Sequence, residues 1–334
     1  MELDLPLIWA GVIAFAVCMY VLMDGFDLGI GILFQTVPTD DERDIMMNSV
    51  APVWDGNETW LVLGGGGLLG VYPLAYATLL PALYLPIIVM LVALVFRGVA
   101  FEFRFKAIRG KFVWNWAFCL GSLVAAFSQG VVLGAFVQGF EVVDRSYAGG
   151  PFDWLTPFSI LVGFGVTAGY ALLGSTWIIM KTDGPLQRWA YRVSMPLLIA
   201  VLGFMVAVSL WVPLLDADIG RRWFSWPNIL YLSPVPILVV LATLWLVRAL
   251  LTDRERLPFL LTLFLFLLGY AGLAISLFPN IVPPDITIWD AASPPETQLF
   301  MLVGVAIMMP FVLGYTAYAY WVFRGKVDPH AGYH

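Results

Sequence analysis

Nine stretches of the chain are apolar almost without interruption: Leu7–Phe34, Thr59–Thr78, Ala82–Glu102, Phe112–Phe136, Thr156–Met180, Ala190–Val212, Ile229–Leu250, Pro258–Phe278 and Leu299–Phe323. About 20 such residues, as a helix, cross a bilayer core of roughly 30 Å. The runs are continuous rather than alternating at every second residue, so they predict helices and not a membrane β-barrel. The second and third share one long apolar stretch interrupted by Pro73, Pro81 and Pro86, and a turn near Pro81 is expected to divide it. No Ser/Gly-rich linker and no soluble domain breaks the series. The expectation is a single all-α integral membrane domain over residues 1–334, with nine transmembrane helices.

Composition agrees. Of the residues, 61% are hydrophobic and 12% charged, against roughly half and about a quarter in soluble proteins. The formal charge of −6 offers no basic face for nucleic acid. Cys18 and Cys119 both lie inside apolar runs, as small buried residues rather than a disulfide framework or zinc site. The first run begins near Leu5 with no basic segment before it and no small-residue cleavage site, so it reads as a retained helix.

The basic residues orient the series. Arg43, Arg97, Arg104, Lys106, Arg109, Lys111, Lys181, Arg188, Arg192, Arg248, Arg254, Arg256, Arg324 and Lys326 fall on one side if the count is nine. Only Arg145, Arg221 and Arg222 fall on the other, with ten acidic residues from Glu2 to Glu296. Positive charge collects on the cytoplasmic side, so the N-terminus is expected outside and the C-terminus inside.

An ionisable side chain at the centre of a membrane helix costs about 2.5–3.5 kcal/mol on insertion scales. Asp24 and Asp27 are three apart, on one helix face, and roughly 30 Å along the helix from Leu5. They are either interfacial and solvated or a proton-carrying or polar packing pair facing another helix; apolar Leu28 to Phe34 beyond them favours the second. A second cluster, Trp54-Asp55-Gly56-Asn57-Glu58-Thr59-Trp60, opens the second span on the inner side. Its carboxylates suit a helix N-terminus and its tryptophans an interfacial belt. With Asp24 and Asp27, Asp55 and Glu58 could form the inner mouth of a proton route. Arg97 and Glu102 either pair with that cluster or anchor the end of the third span. Gly64-Gly65-Gly66-Gly67 lacks a following Lys-Ser/Thr and a preceding strand, so close helix packing is expected rather than a nucleotide loop. Trp289, Asp290, Ser293 and Glu296 form a polar outer loop.

Histidine argues in the negative. His330 and His334 both lie in the polar C-terminal tail, whereas haem iron usually and protein copper nearly always takes a histidine. The twelve methionines read as apolar filling. The chain is not expected to hold a haem or metal in its core.

Asp24-Gly25-Phe26-Asp27, Ile45-Met46-Met47-Asn48-Ser49 and Pro52-Val53-Trp54-Asp55-Gly56-Asn57 resemble subunit II of the cytochrome bd quinol oxidases. The likeness continues through Phe96-Arg97-Gly98, Glu102-Phe103-Arg104 and Trp289-Asp290-Ala291-Ala292-Ser293, nearly end to end. Chain length and short loops are similar to the cyanide-insensitive branch. The resemblance implies nine helices in two four-helix bundles plus a peripheral one. It implies a heterodimer with a similar subunit I that carries two b-type haems, one d-type haem and the quinol site, in the bacterial plasma membrane. It further implies quinol oxidation on the outer side, and reduction of oxygen to water with cytoplasmic protons. By the same resemblance Asp55, beside Trp54, stands at the cytoplasmic entry of a proton channel, and Asp24 and Asp27 match the family's acidic pair. Small single-helix subunits and a structural quinone or lipid also occur in the family; no residue here assigns the quinone.

Intramembrane carboxylates, glycine-rich spans and proline interruptions would also fit a proton-coupled secondary transporter. A purely structural scaffold with no proton role is the third reading.

Overall fold

The computed structural model describes residues 3–107 and 109–328; Glu2, His330 and His334 lie outside them. Twelve helices appear in chain order: α1 (Leu5–Leu33), α2 (Asp40–Asn48), α3 (Trp54–Val71), α4 (Pro73–Lys106), α5 (Lys111–Gln138), α6 (Pro157–Lys181), α7 (Gly184–Leu215), α8 (Ala217–Phe224), α9 (Asn228–Leu232), α10 (Pro234–Leu251), α11 (Leu257–Leu277) and α12 (Pro295–Val322). Two short antiparallel hairpins, β1–β2 (Val142–Val143, Ser146–Tyr147) and β3–β4 (Asn280–Val282, Ile286–Thr287), close loops between them.

Among the described residues eight helical segments are long and apolar enough to cross a membrane: α1, α4, α5, α6, α7, α9 with α10, α11 and α12. The chain is therefore a multi-pass membrane protein. Helix α3, at 18 residues with Asp55 and Glu58 in its first two turns, is not among them, although it packs along α1 beside α4.

The break between α3 and α4 corrects the expected one. It falls at Tyr72–Pro73, and Pro81 and Pro86 lie inside an unbroken 34-residue α4. A residue before proline is driven out of the helical region; Tyr72 has φ −123° and ψ 62°, and its hydroxyl donates to the Pro6 carbonyl of α1. Pro73 then starts α4 at a position where its missing N–H costs nothing.

Helices α1, α3, α4 and α5 pack together, α6 joins them through α1 and α5, and α7 and α11 pack on α6 with α10 beside α11. Helix α12 touches α1 and α3, and Gln298 is its only buried residue. The main core lies where α1 meets α6: Phe26 stacks on Trp177 at 4.2 Å with Phe259 edge-on at 5.6 Å. The expected glycine packing is half seen. A Cβ on Gly64 or Gly67 would touch Val17 or Ile13 of α1, whereas Gly65 and Gly66 face open space. The closest crossings are elsewhere, at Gly29 with Gly174 and at Gly130 with Gly163.

Beyond α12 the chain is tied to the α6–α7 and α10–α11 turns. Lys181 Nζ donates to the Phe323 carbonyl at 2.7 Å and Val327 N–H to the Lys181 carbonyl at 2.8 Å. Lys326 pairs with Glu255 at 2.8 Å and with Asp183. The Lys326 and Gln187 hydrogen bonds hold the Glu255 carboxyl below its usual range. A depressed carboxyl contributes stability above its unfolded value and loses it as pH falls through the folded one. Amide exchange at Val327, corrected for intrinsic rate, is therefore expected to rise as pH drops below about 4.3 and to stay level between neutral and mildly alkaline pH. A flat profile through the acid range would show that this anchor does not hold the segment.

Candidate functional site

Helix α1 is apolar for most of its length and carries Asp24 and Asp27 toward its C-terminal end, each 0% exposed. The solvated reading of this pair is thus set aside. Burying a carboxylate demands partners, and α4 supplies the strongest. Arg97, also 0% exposed, donates through Nη1 to Asp24 Oδ1 at 2.6 Å and through Nη2 to Glu58 Oε2 at 2.7 Å. One planar guanidinium thereby bridges α1 and α3, geometry that an ammonium could not reproduce. Gly121 of α5 lets the chain close over it: a Cβ there would lie 2.7 Å from the Ala93 carbonyl and 3.0 Å from Arg97 N. On the other side Trp54 stacks on Phe101 at 4.7 Å and lies 6.0 Å from the guanidinium.

Asp27 is held by amide chemistry. Asn57 Nδ2 donates to its Oδ2 at 2.7 Å, and Tyr320 of α12 donates its hydroxyl to Asn57 Oδ1 at 2.9 Å. On α5 and α6 the network continues away from Arg97. Tyr170 donates to Gln129 Oε1 at 2.9 Å, and Gln129 Nε2 donates to the Tyr20 hydroxyl at 2.6 Å. Asp24 Oδ2, Asp27 Oδ1 and Arg97 Nε make no hydrogen bond among the described residues.

Six helices thus converge on one polar core inside an apolar bundle. Its solvent edge is Glu58, whose side chain is 28% exposed. Asp55, one turn earlier on α3, is exposed and lies on the same helix face. Glu102 does not join: it pairs with Lys106 at 3.1 Å on the surface. Trp289 and Asp290 are about 30 Å away at the other end of α1, where Trp289 Nε1 donates to Asp4 at 3.2 Å. Asp290 Oδ2 accepts from Thr287 Oγ1 at 2.5 Å, and Arg145 donates to the Asp290 carbonyl at 3.1 Å. The Thr287 hydroxyl and backbone N–H, both donating to its Oδ2, hold the Asp290 carboxyl below its usual range. The Ser293 N–H bonds the Val71 carbonyl at 2.7 Å, so this loop fixes the α3–α4 corner. Glu296 lies in the first turn of α12.

Tyr20, Gln129, Tyr170 and Tyr320 were not candidates from sequence, because a lone Tyr or Gln in an apolar run is ordinary. A second arginine, Arg104, is also fully buried. Arg104 donates to Asn115 Oδ1 at 2.6 Å and pairs with Asp44, which Lys111 also reaches at 3.1 Å. That set clamps α2 to α4 and α5. Among the described residues no three His, Cys, Asp or Glu side chains converge as a metal site requires.

An acidic pair on the first helix joined through a buried arginine to a Trp-Asp-Gly-Asn segment can be compared with known proteins. A model of the cytochrome bd terminal oxidase subunit II family matches residues 5–323. The chain belongs to that family. Cytochrome bd-I ubiquinol oxidase subunit 2 of Escherichia coli K12 is 29% identical, over 97% of this chain and 95% of that protein. Cytochrome bd ubiquinol oxidase subunit 2 of Bacillus subtilis 168 is also 29% identical, over 96% of each. In fold the chain is similar to the solved bd oxidase of Geobacillus thermodenitrificans, with TM-score 0.71 and 18% identity over 96% of this chain and 99% of that one. As a cytochrome bd subunit II, the chain is a subunit of a respiratory quinol oxidase complex, and subunit I is its partner.

Proposed function

We propose that this subunit supports assembly of a haem-bearing subunit I and supplies part of the cytoplasmic proton path by which oxygen is reduced to water. The carrying observation is the Arg97 bridge. It ties the buried Asp24 to Glu58, the one member of the set that reaches solvent, directly after the exposed Asp55 on α3. Three carboxyls stand in this core, Asp24 and Glu58 bonded to Arg97 and Asp27 to the neutral Asn57 amide, with one guanidinium between them, so the set approaches neutrality only when it also holds protons. In an apolar surround that balance is strongly favoured. Asp55 collects a proton at the surface, Glu58 takes it inward, and Asp24 and Asp27 hold it at oxygens that the protein leaves unbonded. Trp54, Asn57 and Tyr320 fix the positions of those groups.

In this reading α3 is the ninth span. The N-terminus is outside and the C-terminus inside the bacterial plasma membrane. The helices α1, α3, α4, α5 and α6, α7, α10, α11 make two four-helix bundles with α12 peripheral. Haems b and d and the quinol belong to the partner, where they supply the redox chemistry; the outer loop at Trp289 and Asp290 supports the fold. The transporter reading has nothing further to favour it in a member of an oxidase family.

Asp55→Asn tests the proposal, since an amide of the same shape cannot take up and release the proton. Oxygen consumption with quinol is expected to fall on the order of a hundredfold while the reduced-minus-oxidised haem bands of the purified complex keep their intensity. Unchanged turnover would leave only the scaffold role. Loss of the haem bands would move Asp55 to assembly.

A further inference from the structure

The α10–α11 turn carries charge that the oxidase reading does not use. Helix α10 ends in a left-handed residue, Asp253 with φ +51°, and the Arg254 N–H bonds back to the Ala249 carbonyl at 3.0 Å. This helix-terminating geometry folds the chain sharply, so Arg254 and Arg256 return alongside Arg248. Arg248, Arg254 and Arg256 line one open cavity of about 550 Å³ together with Trp245, Thr252 and Glu255.

None of the three arginines has a carboxylate partner among the described residues. Glu255, the one acid lining the cavity, is already engaged by Lys326 at 2.8 Å and Gln187 at 3.4 Å. Asp253 sits on the same turn but does not line the cavity. The cavity therefore has an excess of unpaired positive charge carried by planar forks, the geometry that matches a phosphate. Directly along α10 the surface is apolar and unpacked: Trp245 is 64% exposed, and Leu241, Leu244 and Leu251 are also exposed. Charge at the turn with exposed aliphatic and aromatic side chains beyond it suits a molecule with a phosphate head and acyl tails.

We infer that this cavity binds an anionic glycerophospholipid, its phosphate on Arg248, Arg254 and Arg256 and its acyl chains along Trp245 and Leu241. Basic cavities between membrane helices on the cytoplasmic side take such headgroups; the leaflet follows from the orientation proposed above. The site is distinct from the Arg97 network, which lies on other helices.

The test is native mass spectrometry on the oxidase complex purified through this chain, as wild type and as the triple variant Arg248→Gln, Arg254→Gln, Arg256→Gln. Dioleoyl phosphatidylglycerol is titrated in, with dioleoyl phosphatidylcholine as the neutral control and inorganic phosphate as the lipid-free one. Each surface arginine contributes about 1 kcal/mol to anionic lipid binding, so phosphatidylglycerol affinity is expected to drop on the order of a hundredfold in the triple variant. Phosphatidylcholine binding should stay as it was, and an unchanged subunit ratio shows that the variant folds. A triple Arg→Lys variant, which keeps charge but not the fork, should fall between the two. If inorganic phosphate alone raises the wild-type melting temperature and the triple variant loses that shift, the phosphate site stands and its source is the free ion. Equal phosphatidylglycerol binding in both proteins, with no phosphate effect on melting, overturns the inference.

Discussion

Replacing Arg97 by glutamine is expected to prevent the oxidase complex from accumulating. The side chain is wholly buried and bonds two carboxylates on two other helices. Removing one partner of a buried ion pair typically costs about 3–5 kcal/mol, because the group left behind keeps its desolvation penalty. Asp24 is fully buried and would bear that penalty; Glu58 could still turn toward solvent. A loss of this size is comparable to much of the stability of an ordinary domain. Measured as yield of the two-subunit complex and its melting temperature, Arg97→Gln should give little complex. Arg97→Lys should rescue it in part, restoring charge without the two-pronged bridge. The combination Arg97→Gln with Asp24→Asn should recover more than either effect alone would suggest, since it removes the buried carboxylate that Arg97 had paired. An Arg97→Gln complex that forms and melts as the wild type does would remove the bridge from any structural account of this subunit.

Much of that site could be read along the chain, and its limits are physical. Asp24 and Asp27 stood out because a carboxyl inside an apolar run has a cost that must be repaid. Their partners did not, since Arg97 is 73 residues from Asp24 and 39 from Glu58, and only the packing of α4 across α1 and α3 brings them together. Arg97 and Glu102 looked equivalent as charges at one helix end. They differ by five positions and so point to different sides, one into the bundle and one to Lys106. Tyr20, Gln129, Tyr170 and Tyr320 carry no signal by type, because their meaning comes from which hydroxyl faces which amide. For the fold, continuous hydropathy located the apolar helices but not the corner at Tyr72. Three prolines lay in one apolar stretch, and Pro73 terminates a helix where Pro81 and Pro86 do not. Tyr72 adopts its non-helical backbone while bonding Pro6, a contact 66 residues away. The short α2, by contrast, carries its own local signal in the sequence. Thr39 and Glu42 form a capping box, with the Glu42 N–H donating to Thr39 Oγ1 at 3.2 Å.

Gly29→Ala is expected to be the most disruptive small substitution in the chain. Gly29 of α1 and Gly174 of α6 meet backbone to backbone. A Cβ on Gly29 would lie 1.8 Å from the Tyr170 carbonyl oxygen, and one on Gly174 would lie 2.4 Å from the Gly29 carbonyl carbon. Elsewhere in a helix, glycine to alanine stabilises by about 0.5–1 kcal/mol through backbone entropy. Here that gain is outweighed, because neither neighbour is a side chain that can rotate aside. The helices themselves must part, and packed interiors accommodate even a methylene poorly. Overpacking costs about 1–3 kcal/mol where side chains absorb it, and more where they cannot. Parting α1 from α6 would also open the Phe26–Trp177 stack and pull Tyr20 and Tyr170 off Gln129, so the polar core would loosen with the apolar one. The expected result is a lower melting temperature and reduced complex yield for Gly29→Ala, and the same for Gly174→Ala. Gly203→Ala on α7, where a Cβ meets nothing within 4 Å, should be neutral or slightly stabilising and serves as the control. If Gly29→Ala melts with Gly203→Ala, the α1–α6 crossing has slack and close backbone contact is not what holds those two helices together.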